Sequence, residues 1–138
     1  MKISGCLLKY NIVDKNGITF AKDCNKNAPD KIPVLTEYNS KIFDVVAGNG
    51  KLSYTEDGIY CECDVKDDTF EKNPLLENFG FFANKVKYDG HTVIEMTIRC
   101  IVLQPESVMD GTEITKLADI IHEEYIMTAE EIKERLRL

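Results

Sequence analysis

At 138 residues the chain has room for one core and not for two, and 43% hydrophobic with 30% charged residues describe an ordered globular protein rather than a disordered acidic one. A formal net charge of -7 weighs against a nucleic-acid partner, because that affinity rests on Lys and Arg displacing counterions. No apolar run approaches the roughly 20 residues that span a bilayer, so neither a signal peptide nor a membrane anchor is expected.

Residues 2–13 alternate as a strand does, with Ile3, Leu7 and Tyr10 as candidate buried positions. The stretch 14–30 is dense in Asn, Asp, Lys and Gly and reads as a long loop. Pro33-Val34-Leu35 begins another strand. From Phe43 to Val65 the alternation resumes, with Gly48, Gly50 and Asp57-Gly58 marking bends. Asp-Gly between two alternating runs predicts a hairpin pairing 51–56 with 59–65, whose turn places both residues at positive φ. By the same logic Asp89-Gly90 joins the run from Phe79 to Tyr88 to the run from His91 to Leu103. Neither hairpin leaves room for a helical crossover, so the sheet is expected to be mainly antiparallel.

Between the hairpins, DDTFEKNPLLE has the makings of a short helix limited by Pro74, which lacks an amide hydrogen and clashes with the preceding turn. Phe79 and Phe81 alternate onto one face and Phe82 onto the other, so one of those faces is core. After Pro105 the period changes: Ile114, Leu117, Ala118 and Ile121 form the stripe of an amphipathic helix. Thr128 to Glu131 supplies a capping box for a last helix carrying Ile132 and Leu136. The fold class expected is mainly β with helices, an α+β chain with C-terminal helices that dock on its own body or on a neighbouring subunit.

The five cysteines, Cys6, Cys24, Cys61, Cys63 and Cys100, are odd in number and scattered through strand-like segments, which reads as a reduced chain. Cys61 and Cys63 share one face of a strand and are in principle a chelating pair; no second pair accompanies them, so buried apolar thiols are the plainer reading. No metal and no cofactor is expected.

The order of these features, namely the loop-rich opening and Pro-Val-Leu segment, the strand VVAGNGKL, the hairpin EDGIYCECDV and the closing strand TIRCIVLQPESV, resembles the tailed-phage prohead (head maturation) proteases, relatives of the herpesvirus assemblins. The likeness covers roughly residues 2–108. It implies an antiparallel β-barrel over 1–108; beyond it, the helical spacing and capping box give a helical tail over 109–138. Catalysis in that family needs a nucleophile and a base within hydrogen-bond reach. The family's His position falls on Tyr38, in Thr36-Glu37-Tyr38, and its Ser position falls on Gly80, in Phe79-Gly80-Phe81. Glycine has no attacking atom, and a phenol with a reference pKa of about 10 is a poor base near neutrality.

The other serines and histidines are Ser4, Ser40, Ser53, Ser107, His91 and His122. His91 reads as an exposed loop residue after a tight turn, His122 lies on the polar side of the C-terminal helix, and Ser40 reads as a loop hydrogen-bonder. The cysteines fall mostly in apolar strand contexts that raise a thiol pKa. Glu37 beside Tyr38 suggests a carboxylate and phenol pair, with solvation of both as the plainer account. The resemblance therefore implies a non-catalytic phage structural protein: an auxiliary or decoration protein, assembled in the bacterial cytoplasm, that binds the major capsid protein and sits in the virion, with a homo-oligomer possible. The alternatives are an active prohead maturation serine protease and an internal capsid assembly factor.

Overall fold

The computed structural model describes residues 1–38, 41–42 and 46–116. Its elements in chain order are β1 (Lys2–Lys9), β2 (Thr19–Phe20), β3 (Ile32–Tyr38), β4 (Lys41–Ile42), β5 (Gly48–Tyr54), β6 (Gly58–Val65), α1 (Thr69–Lys72), β7 (Asn78–Asp89), β8 (Thr92–Gln104) and β9 (Thr115–Lys116). The predominance of strand agrees with the expectation of a mainly β chain. The short helix also lies where the sequence places it, ending before Pro74.

One sheet holds all nine strands in the order β2-β8-β3-β5-β6-β1-β9, with β7 on β8 and β4 on β3. It is open and mixed, which corrects the expected closed antiparallel barrel. The local pairings, β5 with β6 and β7 with β8, are antiparallel as hairpins must be. Two further pairings are parallel: β3 with β8, matching Leu35 to Val102, and β2 with β8, matching Thr19 to Thr92. The free ends of the sheet approach each other through residues 112–116. That segment pairs with β1 at Ser4 and Thr115 and touches β7 only at one isolated bridge, Asn78 to Glu113. A single bridge is not a ladder, so the circuit stays open.

The same segment corrects a second expectation. Its spacing makes Ile114 the first position of a helical stripe, yet Thr115–Lys116 is strand, because the edge of β1 offers it backbone partners. Residues that the sequence assigns to a tail from 109 onward also join the sheet body here, with Met109 and Thr112 buried. The remainder of that stripe, the capping box and the last helix lie outside the described residues. Among the described residues no helix is long and apolar enough to cross a membrane.

Strand β8 is central, with β7 along one edge and β2 and β3 along the other, and its sequence VIEMTIRCIVL buries Val93, Met96, Ile98, Ile101 and Leu103. These pack with Ile3, Leu7, Leu8, Ile32, Ile59 and Phe79 into one core. Each such side chain contributes roughly 1.5–3 kcal/mol by leaving water. Ile3, Leu7 and Tyr10 are buried as the alternation predicts, and a bulge between Cys6 and Leu8 turns Cys6 and Leu8 inward as well. Phe79 is buried, Phe81 packs against the core and Phe82 is exposed, so the inward face of β7 is the Phe79 and Phe81 face.

The two hairpin turns differ from the expected chemistry. In the first, neither Asp57 nor Gly58 has positive φ. The Thr55 hydroxyl oxygen instead accepts the amides of Asp57 and Gly58 at 3.2 Å each, and the Thr55 amide donates to the Gly58 carbonyl at 2.9 Å. A threonine side chain thus closes the turn that the Asp-Gly pair is expected to close. In the second, Asp89 pairs with Thr92 and leaves Gly90 and His91 as the loop, with Gly90 alone at φ 62°. Positive φ at the first of two loop residues belongs to a type II′ turn, which Gly enters without a Cβ penalty.

Tyr10 is 5% exposed, and its hydroxyl has no hydrogen-bond partner among the described residues. Burial pushes this phenol up to about 12 and pushes the Cys24 thiol up to about 11. The neutral forms are therefore the ones the fold favours, so stability is intact below the unfolded-state values and falls as pH rises from about 9 towards 12. Tyr10→Phe is expected to raise stability at neutral pH by about 1 kcal/mol, by removing an unpartnered polar atom. It should also flatten the upper half of the alkaline loss. Urea midpoints measured from pH 7 to 12 check both; a Phe variant less stable at neutral pH means that the hydroxyl has a partner.

Candidate functional site

The two positions that the resemblance assigns to catalysis are not brought together. Val102 of β8 lies between Gly80 of β7 on one side and Leu35 of β3 on the other, and Tyr38 is three residues further along β3. With strands about 4.8 Å apart and about 3.3 Å per residue, the two backbones are separated by on the order of 14 Å. A hydroxyl at one and an imidazole at the other would not share a hydrogen bond. The space beside Gly80 is also taken: a Cβ built there would lie 2.6 Å from the Gln104 Oε1 and 2.7 Å from its Cδ. Gln104 ends β8 opposite Asn78, so its carboxamide covers the glycine.

Gly80 nevertheless lies in a groove. Strand β7, the loop 14–18 and the loop 105–112 enclose a cavity of about 330 Å³ around Gly80, Gln104 and Ser107. Its floor is apolar, from Leu7, Leu8, Phe79 and Met96. Ile18, Phe20 and Phe81 wall it, the two rings packed edge to face with centroids 5.6 Å apart. Val86, Tyr88 and Val108 stand at the mouth and are exposed. Val108 also lines a neighbouring hollow with exposed Ile12 and Val13, so the apolar surface continues past the mouth.

The loops that shape the groove are held by side-chain oxygens. The Asp14 carboxylate accepts the amides of Asn16 and Ile18 at 2.8 and 2.9 Å, closing the first loop. In the second, the Ser107 hydroxyl bonds Thr112 Oγ1 and the Met109 carbonyl, and accepts the Met109 amide at 3.0 Å. Ser107 is thus a turn brace. Lys15 donates its amide to the Val108 carbonyl at 2.8 Å and ties the two loops together.

Other candidate groups are dispersed. His91 sits at the tip of the β7 and β8 hairpin; Ser4 and Ser53 lie in ladders opposite Glu62 and Tyr60. Ser40 and His122 lie outside the described residues, as does the side chain of Tyr38. Glu37 stands in register with Ile42 of β4. All five cysteines are free and buried. Burial raises the Cys6 and Cys100 thiols, and the adjoining Cys63 together with burial holds Cys61 far above its usual range. Thiols shifted in that direction are poor nucleophiles near neutrality. Among the described residues no group of three or more His, Cys, Asp or Glu side chains is arranged to hold a metal ion.

Sequence reasoning finds Gly80 but misses Gln104, Asp14 and the 105–112 loop. A Gln at a strand end and an Asp in a polar loop carry no distinguishing pattern; only the long-range register puts them around one cavity. The separation of positions 38 and 80 has a direct consequence for Tyr38→His combined with Gly80→Ser. The double variant is expected to gain no peptide hydrolysis, read as intact mass after incubation with unfolded casein, because the new groups stay apart. Cleavage by this variant but not by either single variant would mean that the two positions meet.

Neither a protein-family model, nor a curated protein, nor a solved structure matches this chain.

Proposed function

We propose that the chain is a non-catalytic structural protein of a tailed-phage head, a prohead-protease-like scaffold put to use as an auxiliary or decoration protein that binds the major capsid protein. The observation that carries this reading is the groove around Gly80. It occupies the position that the resemblance gives to the nucleophile, it is lined largely by carbon, and it opens to solvent beside Val86, Tyr88 and Val108. Contiguous exposed apolar side chains of this kind favour a protein partner over water. The net charge of -7 supports a protein contact rather than a contact with the packaged nucleic acid.

Mass spectrometry of purified heads tests the reading. The chain should be present in mature particles at a fixed ratio to the capsid protein. Presence in proheads with loss before maturation replaces it with an internal assembly factor, and absence from both ends the proposal. Co-expression with the capsid protein should leave both intact masses unchanged. A cut abolished by Ser40→Ala transfers the assignment to a serine protease.

A further inference from the structure

The chain contains two Asn-Gly pairs, Asn16-Gly17 and Asn49-Gly50, and the fold treats them in opposite ways. Asn-Gly is the dipeptide most open to spontaneous succinimide chemistry, because no Cβ on the following residue shields the amide nitrogen that attacks. Whether it reacts in a folded protein depends on whether the backbone can leave its conformation.

Asn49-Gly50 is clamped. It lies in β5 between two ladders, Asn49 opposite Pro33 of β3 on one side and Asp64 of β6 on the other. A Cβ at Gly50 would lie 2.6 Å from Ile101 Cδ1 and 2.9 Å from Cys63 Sγ. Swinging the Asn49 carboxamide onto the Gly50 nitrogen requires that both ladders part.

Asn16-Gly17 is exposed at the tip of the loop that walls the groove. Gly17 has φ 79° and nothing within 4 Å of the place a Cβ would occupy. Its amide has one backbone bond, to the Asp14 carbonyl at 3.1 Å, and the rest of the turn is tied by the Asp14 carboxylate and by the Asp14 amide, which donates to the Ile18 carbonyl at 2.9 Å. Freeing the Gly17 nitrogen breaks that one amide bond at an exposed loop tip and parts no strand ladder, and local openings of this kind lie at the low end of the free-energy range.

We infer that Asn16 is a deamidation site built into the rim of the groove. The Gly17 nitrogen, having given its proton to hydroxide, attacks Cγ of Asn16. The new C–N bond closes a five-membered imide, and the carboxamide nitrogen leaves as ammonia. Water then opens the imide at either carbonyl, giving aspartate or an isoaspartyl linkage. Either product places a second carboxylate two residues from Asp14, and the isoaspartyl form also lengthens the main chain at the turn. This chemistry belongs to the chain alone and is independent of any capsid contact.

The test is peptide mapping of the purified full-length chain after incubation at mildly alkaline pH, with ion exchange to count acidic variants. In the folded protein, conversion at Asn16 should exceed conversion at Asn49 by at least about tenfold, the factor that ~1.4 kcal/mol of opening free energy supplies. In urea the two rates should converge. Asp14→Ala frees the turn and should speed Asn16 severalfold without changing Asn49. Equal rates in the folded state, an intact Asn16, or no response to Asp14→Ala overturns the inference.

Discussion

Replacing Phe79 by Ala is expected to cost about 3–5 kcal/mol, the range for deleting a buried aromatic ring, whereas Phe82→Ala should cost no more than about 1 kcal/mol. Phe79 is 1% exposed and Phe82 is 47% exposed. The ring of Phe79 also fills the space over Gly5 of β1, where a Cβ would lie 2.8 Å from Phe79 Cε2. Its amide donates to the Thr112 carbonyl at 2.8 Å. Phe79 is therefore the point at which β7, β1 and the 112–116 segment meet, and the cavity left by Ala lies where the sheet circuit is weakest. Against a typical total stability of about 5–15 kcal/mol, the loss should move the urea midpoint far or leave the chain unfolded. Equal costs for the two phenylalanines would mean that β7 is shifted by one residue from a register in which Phe79 faces Leu103.

That β7 and β8 pair is legible in the sequence, and the reason is local. Their register is not, because the loop is Gly90-His91 and irregularities between Phe82 and Ala83 and between Asn84 and Tyr88 bring Phe79 opposite Leu103. Alternation in 79–88 and 91–103 specifies both strands, the intervening Asp-Gly marks the turn to within a residue, and the Phe79, Phe81 and Phe82 spacing specifies the two faces. The 51–65 hairpin is legible for the same reason, although its turn is closed by Thr55, an ST-turn whose signal is weaker than Asp-Gly.

The parallel pairing of β3 with β8 joins residues more than sixty apart in sequence, through Val34 to Ile101. No short-range pattern encodes it. Without it a run of hairpins reads as an antiparallel barrel. The strand at Thr115–Lys116 shows tertiary override: the helical spacing that begins at Ile114 is real, but the unpaired edge of β1 captures the backbone there. The groove is legible only at Gly80. Its other determinants come from two loops and a strand end, tied by Asp14, Ser107 and Gln104, whose side chains look like solvent-facing polar residues in any one-dimensional reading.

Val108→Glu and Tyr88→Glu are each expected to lower co-sedimentation with capsid shells by at least about tenfold, the effect of losing one anchor of an interface. Both side chains are exposed, at 45% and 57%, so the isolated fold should tolerate the change, and far-UV circular dichroism and the urea midpoint should stay close to those of the parent. At a protein contact the same carboxylates would be desolvated against an apolar surface with no partner, which costs more than a lost contact alone. Leu75→Glu is the matched control: among the described residues Leu75 is the most exposed of the large apolar side chains, at 71%, and it does not line the groove. Loss of association in the two groove variants with retention in the control places the capsid contact at the mouth of the groove. Loss in all three assigns it to general surface charge, because adding a carboxylate anywhere to a chain of net charge -7 then suffices. Retention in all three removes the groove from the contact and with it the structural support for a capsid-binding role.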